Sequence, residues 1–230
     1  MNHSKIGTAE AIMLILSVIV AHTILSLPKT IVSVTKTATI LNLIYVTIII
    51  FAIVYLIYLL MKKFPGMDLI DISKYLAGSI FLKILGSIFI FYFIISSGFL
   101  LRNFCECLKI VYYPNTDIIF VIFFFIIAIC ISNQLRFSAT LKTNLLVIPL
   151  AIISIIFLFF SNIRNFSLQR ALPILGDGFF TTFVTGIGNI AAFGGIVFLY
   201  FLPPLLKQPE KFKKIAFSSI ALTALYLILT

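Results

Sequence analysis

Two segments of the chain place polar and helix-breaking residues inside long apolar stretches, where a small ligand could bind. The first, Ala21-His22-Thr23-Ile24-Leu25-Ser26-Leu27-Pro28, ends in a proline, which removes a backbone donor and disfavours helix at the residue before it. The second, Gly188-Asn189-Ile190-Ala191-Ala192-Phe193-Gly194-Gly195, collects glycines and one amide. Interrupted membrane helices leave backbone N–H and C=O groups free to bind substrates near the middle of the bilayer. The sequence therefore predicts a ligand site between these two segments.

A packing role for the same residues is an alternative that the residues alone leave open. Glycines in membrane helices often allow close helix contact, and Ser and Thr side chains bond to neighbouring backbone groups. His22 also has two interpretations: a proton or ligand group, or an interface residue bonded to a carbonyl. The presence of both interrupted segments in one chain favours the binding site over packing.

Other arrangements of reactive residues are absent from the sequence. Cys105 and Cys107 are too close for an easy disulfide, Cys130 lies in an apolar run, and both histidines are far from them. Neither a metal site nor a disulfide framework is predicted. The stretch Gly186-Ile187-Gly188-Asn189-Ile190-Ala191 fits the spacing of a dinucleotide fingerprint, but no strand–helix unit surrounds it. Because the apolar runs also hold no Ser-His-Asp triad or carboxylate pair, we predict a protein that is not an enzyme and has no cofactor.

The elements that must hold the two segments are membrane helices. Of the 230 residues 62% are hydrophobic and 10% charged, with a mean hydropathy of +1.21, whereas a soluble domain is about half apolar and a quarter charged. The apolar runs are continuous, which favours helices over a β-barrel. We predict an all-α, polytopic transmembrane helical bundle, formed as a single domain over residues 1-230. Its spans are expected at about residues 7–27, 38–61, 79–103, 117–132, 144–161, 180–206 and 215–230.

The formal charge of +10, from 17 Lys and Arg against 7 Asp and Glu, does not indicate nucleic-acid binding. The cations stand mostly at the ends of the apolar runs, where the positive-inside bias and anionic lipid head groups account for them. More of them fall on the connections that share a side with Lys5 than on the opposite side. The N-terminus is therefore predicted to be cytoplasmic, with membrane lipid as a partner and no nucleic acid.

Four motifs, in the same order along the chain, resemble those of a known family. Ile24-Leu25-Ser26-Leu27-Pro28 is similar to the family's opening break, and Lys63-Phe64-Pro65-Gly66-Met67-Asp68-Leu69-Ile70 to its segment after the second helix. Leu172-Pro173-Ile174-Leu175-Gly176-Asp177-Gly178 resembles the loop before the sixth helix, and Phe201-Leu202-Pro203-Pro204-Leu205-Leu206-Lys207 the exit from that helix. On these motifs the chain resembles the B subunits of nutrient germinant receptors of spore-forming bacteria (GerAB type), within the amino acid–polyamine–organocation transporter superfamily.

The resemblance implies a fold, a role and a set of site residues. The fold would be transporter-like (LeuT-type), with broken first and sixth helices. The role would be that of a membrane subunit in the inner membrane of a bacterial spore. It would sense a small nutrient such as an amino acid and act with A- and C-type receptor subunits to trigger germination. The nutrient would lie at the junction of the broken helices, against Thr23, Ile24, Leu25, Ser26, Gly188, Asn189, Phe193, Gly194 and Gly195.

The chain departs from the family pattern, and two other functions stay open. Family members have about ten spans, and the chain corresponds to roughly the first seven of them, as if truncated. Gly195 stands where many members have an acidic residue, and Ala21-His22-Thr23 replaces the glycines of the first break. An amino acid transporter of the same superfamily would share the broken helices and move its substrate across the membrane. A truncated subunit that binds no ligand would only scaffold its partners.

Overall fold

A computed structural model describes residues 5–25, 27–134, 137–165 and 172–229. Apart from one parallel bridge between Ile6 and Leu206, the regular structure of these residues is helical. The α-helices are α1 (Thr8–Leu25), α2 (Leu27–Thr35), α3 (Thr39–Lys63), α4 (Leu69–Tyr112), α5 (Ile118–Asn133), α6 (Phe137–Asn162) and α7 (Phe212–Leu229). Between α6 and α7 lies the sixth-span helix, Phe180–Tyr200, which is not α-helical. Short 3-10 turns cover Lys36–Ala38, Ile163–Asn165, Pro203–Leu205 and Pro209–Lys211.

Long apolar helices make the chain a polytopic membrane bundle, as its composition predicts. Two shorter apolar helices, Thr8–Ala21 and Ile118–Asn133, accompany the longer ones. The exposed side chains include many Ile, Leu and Phe, which lipid solvates better than water does. The prediction of an all-α helical bundle is confirmed, whereas the single domain and the limits of its spans stay a prediction. In the described part of the chain, five segments are long and apolar enough to cross a bilayer: Lys29–Lys63, Leu69–Tyr112, Ala139–Asn162, Phe180–Tyr200 and Pro209–Leu229.

Helix α4 bends at Gly78, just before the third predicted span. Asp68 caps its start, because the Asp68 Oδ1 accepts a hydrogen bond from the Asp71 backbone N–H at 2.7 Å. Gly78 has φ +81° and ψ −175°, a conformation that a Cβ strongly disfavours. The bend separates a polar first part, with Asp71 and Lys74, from the long apolar part. The first part therefore has the composition of a helix lying along a membrane surface.

The chain divides into two compact units, Met1–Gly66 with Leu141–Thr230 and Met67–Thr140. In the first unit, α1 and α3 each pack against both the sixth-span helix and α7. In the second, α4 packs on α5, where Phe104 and Phe125 meet edge to face with ring centroids 4.9 Å apart. Both segments that the sequence predicts to be broken belong to the first unit. Its fully buried aliphatic side chains include Ile15, Ile19, Val46, Ile50, Ile215 and Ile220.

The sixth-span helix has a different pitch from its neighbours. Its first turn, Phe180–Val184, has π-helical bonding, and the 16 residues Thr185–Tyr200 have 3-10 bonding, with about three residues per turn. A 3-10 helix rises about 2.0 Å per residue, so this segment extends about 32 Å, close to the thickness of the hydrocarbon core. Gly and Ala at three of the six buried positions of Thr185–Tyr200 let the backbone approach α1 and α3 closely. Buried positions recur at the 3-10 spacing: Gly186, Asn189, Ala192 and Gly195.

The predicted break in the first span falls largely outside the described residues. Helix α1 keeps a helical backbone through Leu25, and α2 begins at Leu27 with Pro28 as its second residue. A proline in the first turn of a helix removes an N–H that has no partner within the helix. Ser26 and the side chains of residues 22–28 lie outside the described part of the chain, so their role at the break stays a prediction.

Tyr226 tests how completely this bundle satisfies its polar groups. The side chain is 3% exposed in a cluster with Leu16, Val20 and Ile148, and its hydroxyl has no hydrogen-bond partner among the described residues. A buried hydroxyl without a partner costs about 1–3 kcal/mol. We therefore expect Tyr226→Phe to raise the free energy of unfolding by about 1 kcal/mol, or the Tm of the detergent-purified protein by about 2–4 °C.

The matched control for this substitution is Tyr55→Phe, at a tyrosine that is 47% exposed. We expect it to leave the Tm unchanged, because burial on folding does not cost this exposed hydroxyl its hydrogen bonds. A lower Tm for Tyr226→Phe would contradict the prediction and would mean that the hydroxyl has a bonding partner.

Candidate ligand site

Two glycines of the sixth-span helix are required by close packing. A Cβ added at Gly195 would lie 2.9 Å from the Ile19 side chain and 3.3 Å from the Ile15 carbonyl oxygen, both in α1. A Cβ added at Gly186 would overlap the side-chain amide of Asn42 in α3. These two positions therefore follow the packing alternative: they bring the sixth-span helix against α1 and α3.

Two other glycines, Gly188 and Gly194, border open space. An added Cβ at either position would meet no described atom within 4 Å, so packing does not require them. In a 3-10 helix residues three apart share a face, which places Gly188, Ala191 and Gly194 on one side of the helix. Gly188 and Ala191 are exposed and Gly194 is half-buried, so this open face lies on the surface of the described residues, where a ligand or a neighbouring helix has room.

Phe193 marks the irregular point of the sixth-span helix. Its backbone has φ −96° and ψ +21°, outside the helical region, and its side chain is fully buried. This bridge region of φ/ψ space is sparsely populated and recurs at functional sites. The interruption that the sequence predicts in the sixth helix is therefore present, at the residue before Gly194.

Asn189 is held by a buried amide that the sequence analysis missed, Asn42 of α3. The Asn189 Nδ2 donates to the Asn42 Oδ1 at 2.7 Å, and the Asn42 Nδ2 donates to the Thr182 carbonyl oxygen at 2.7 Å. Asn42 is fully buried and Asn189 is 7% exposed. The sequence signal for Asn42 is a single amide inside the apolar run that begins α3, because a polar group within a membrane helix requires a partner.

The segment 172–178, here called the Pro-Gly loop, is tied to the start of the sixth-span helix. The Thr182 Oγ1 donates to the Leu175 carbonyl oxygen at 2.9 Å. Thr182 therefore has two roles: its carbonyl accepts from Asn42 inside the bundle, and its hydroxyl holds the loop. The loop and the buried amides are linked through this one residue.

The Pro-Gly loop also rests on the turn between α2 and α3. Gly176 has φ +57°, and a Cβ there would lie 2.9 Å from the Thr35 carbonyl oxygen. The Thr37 Oγ1 donates to the carbonyl oxygen of Pro173 at 2.7 Å. An exposed ion pair joins the Lys36 ammonium to the Asp177 carboxylate at 2.5 Å. Because of its exposure this pair adds little energy by itself, so backbone contact and the threonine bond hold most of the loop.

The residues that follow the sixth-span helix form hydrogen bonds with the N-terminal residues. The Ile6 N–H donates to the Leu205 carbonyl oxygen at 2.8 Å, and the Lys207 N–H donates to the Ile6 carbonyl oxygen at 2.9 Å. The Gly7 N–H donates to the Glu10 carboxylate at 2.6 Å, at the start of α1. The sixth-span helix is thus tied at one end to the α2–α3 turn and at the other to the start of α1.

The candidate residues of the two segments differ in burial and in how much of them the structure describes. Those described in the sixth span are Asn189 and Phe193, which are buried, Gly195, which packs on α1, and Gly188 and Gly194, which border open space. Those from the first span, Thr23, Ile24 and Leu25, have helical backbone at the end of α1, while their side chains and all of Ser26 lie outside the described residues. A shared site between the two groups stays a prediction.

Neutral hydrogen-bonding groups dominate the chemistry of this region. None of the described candidate residues carries a charge, so a charged ligand would be bound by amides and by backbone groups at helix interruptions. Within the described ranges, no group of His, Cys, Asp or Glu side chains is placed to hold a metal ion. The arrangement suits a small molecule that has both hydrogen-bonding groups and an apolar part.

The pairing of Gly186 with Asn42 leads to a test of the packed face. We expect Gly186→Ala to lower the free energy of unfolding by about 1–3 kcal/mol, because the new methyl group overlaps a buried amide. Gly188→Ala should be neutral or stabilising by up to about 1 kcal/mol, since it gains helix propensity in open space. Thermal unfolding of both purified variants measures the difference, and equal effects would contradict it.

Comparison with known proteins gives the following relations. A family model described as spore germination protein matches residues 5–230. Spore germination protein B2 of Bacillus subtilis (strain 168) is 22% identical to the chain over 229 residues, which is 100% of this chain and 62% of that relative. The chain thus spans 62% of the length of the curated relative that it matches. No solved structure matches.

Proposed function

Because the chain belongs to the spore germination protein family, we propose that it is a membrane subunit of a nutrient germinant receptor. In this role it senses a small nutrient and helps to trigger germination. The proposal includes the inner membrane of the spore as its location, a cytoplasmic N-terminus, and A- and C-type receptor subunits as partners. The family is one of germination membrane proteins and not an enzyme family, which agrees with a role in sensing.

The single observation that carries the sensing role is the irregular sixth-span helix. It combines an interruption at Phe193, a buried amide at Asn189 and an open face at Gly188 and Gly194. Membrane proteins that bind small solutes place them at such interruptions, where backbone groups are available as ligands.

An amino acid is the nutrient class that this site suits. Its carboxylate and ammonium groups match backbone N–H and C=O groups at helix interruptions. Its side chain can be apolar, and the buried ring of Phe193 lies at the interruption. Candidate ligand-binding residues are Thr23, Ile24, Leu25, Ser26, Gly188, Asn189, Phe193, Gly194 and Gly195.

Ligand-induced stabilisation of the purified protein tests the proposal. A ligand at about 100 times its Kd raises the free energy of unfolding by about 2.7 kcal/mol if it binds only the folded state. We expect one or a few members of a panel of amino acids to raise the Tm by several degrees in detergent. Gly194→Trp places an indole at a position where an added Cβ meets no described atom within 4 Å, so we expect the protein to fold and this shift to disappear.

The matched control is Ile187→Trp, at a position of the same helix that is 44% exposed and outside the candidate set. It should keep the shift. If no amino acid stabilises the parent protein, the sensing role is contradicted and a scaffold subunit is favoured. Accumulation of a radiolabelled amino acid in vesicles containing only this protein would instead indicate a transporter.

A further inference from the structure

A chain of hydrogen bonds runs from the candidate site to the surface of the first unit. It begins at the Asn189 amide, passes to Asn42, continues to the Thr182 carbonyl, and leaves Thr182 through its hydroxyl to the Leu175 carbonyl in the Pro-Gly loop. The amide bonds measure 2.7 Å and the hydroxyl bond 2.9 Å. The three hydrogen bonds connect the buried amides to the loop through Thr182.

Asn42 is the central link of this chain. It is fully buried and uses both ends of its amide, one toward Asn189 and one toward Thr182. In a region of low polarity an amide that loses a partner keeps the full cost of its desolvation. The Asn189 Nδ2 has two N–H groups, so a ligand competes with Asn42 when it takes the N–H that points at the Asn42 Oδ1 or draws the Asn189 amide away from it. Occupancy of the site would then loosen Asn42 and, with it, the start of the sixth-span helix.

We propose that Asn42 is a positioning residue that couples occupancy of the candidate ligand site to release of the Pro-Gly loop. The proposal rests on the proposed function and adds how the site is regulated. The loop is held by the Thr182 hydroxyl, by the exposed ion pair of Lys36 with Asp177, by the Thr37 hydroxyl and by the contact of Gly176 with Thr35. Asn42 acts on the first of these contacts, so the loop is released at its Thr182 end. A loop that lifts from the α2–α3 turn changes the surface of the first unit beside the start of the sixth-span helix.

Loop release can be measured through Ala38, which the loop covers. Ala38 is 1% exposed, and a Cβ at Gly176 would lie 3.1 Å from its Cβ. With Cys105, Cys107 and Cys130 replaced by Ala, an Ala38→Cys reporter reacts with a polar maleimide only when the loop has moved. Ile174→Cys, at a loop position that is 64% exposed, is the control reporter and should react at one rate in every variant.

Without any ligand, Asn42→Ala should raise the labelling rate of the Ala38→Cys reporter about tenfold. A tenfold change in the open population corresponds to about 1.4 kcal/mol, the scale of one buried hydrogen bond. Asn189→Ala should raise it less, because the bond from Asn42 to Thr182 remains. Thr47→Ala is the matched control on the same helix: it removes only a bond to the Leu43 carbonyl and should leave labelling unchanged.

A second experiment tests whether a bound amino acid moves the same loop. A mixture of common amino acids that raises the Tm of the parent should raise Ala38→Cys labelling severalfold, and should no longer do so in Asn42→Ala. A residue with a purely structural role would lower stability without changing this response.

These experiments distinguish failure of the coupling through Asn42 from failure of the proposed nutrient-sensing function. If labelling in both Asn42→Ala and Asn189→Ala stays within about twofold of the parent, the coupling is overturned whether or not amino acids bind. If Asn42→Ala does not fold, Asn189→Ala decides in the same way. If amino acids shift the Tm of the parent but not its labelling, nutrient sensing survives and the coupling through Asn42 is overturned.

Discussion

In the interior of a bilayer every backbone N–H and C=O needs a partner within the protein, because lipid offers none. The first unit is arranged around how the sixth-span helix meets this requirement. Its π and 3-10 turns redirect the hydrogen bonds along the helix. The Thr182 carbonyl takes a bond from the Asn42 amide, and Asn42 in turn fixes Asn189. The absence of a side chain at Gly186 makes room for that amide.

The helical bundle and the position of its irregular helix follow from local sequence. Long apolar runs have few stable structures in lipid, so composition predicts the bundle. A cluster of glycines predicts the irregular helix, since glycine weakens helix and allows close approach. Local spacing also accounts for the ion pair of Arg102 with Glu106 at 2.9 Å, because residues four apart meet on a helix surface.

Other features of the site do not follow from local pattern. Asn42 and its partner Thr182 are 140 residues apart in sequence, so only the folded bundle pairs them. The three-residue spacing of Gly186 and Asn189 is typical of a 3-10 helix, but apolar residues lie between them and no polar contrast reveals the period. Helix α6 begins at Phe137, among polar residues, because polar side chains at a membrane surface do not end a helix.

The 3-10 pitch of the sixth-span helix makes its length depend on its helical form. The 16 residues Thr185–Tyr200 occupy about 32 Å in 3-10 form, and the same residues in α-helical form would occupy about 24 Å. Conversion to the α form would shorten the segment by about 8 Å, which is more than the rise of one α-helical turn. Because the residues that follow this segment are joined to Ile6 by two backbone hydrogen bonds, at Leu205 and Lys207, such a shortening would move the opposite end, next to the Pro-Gly loop.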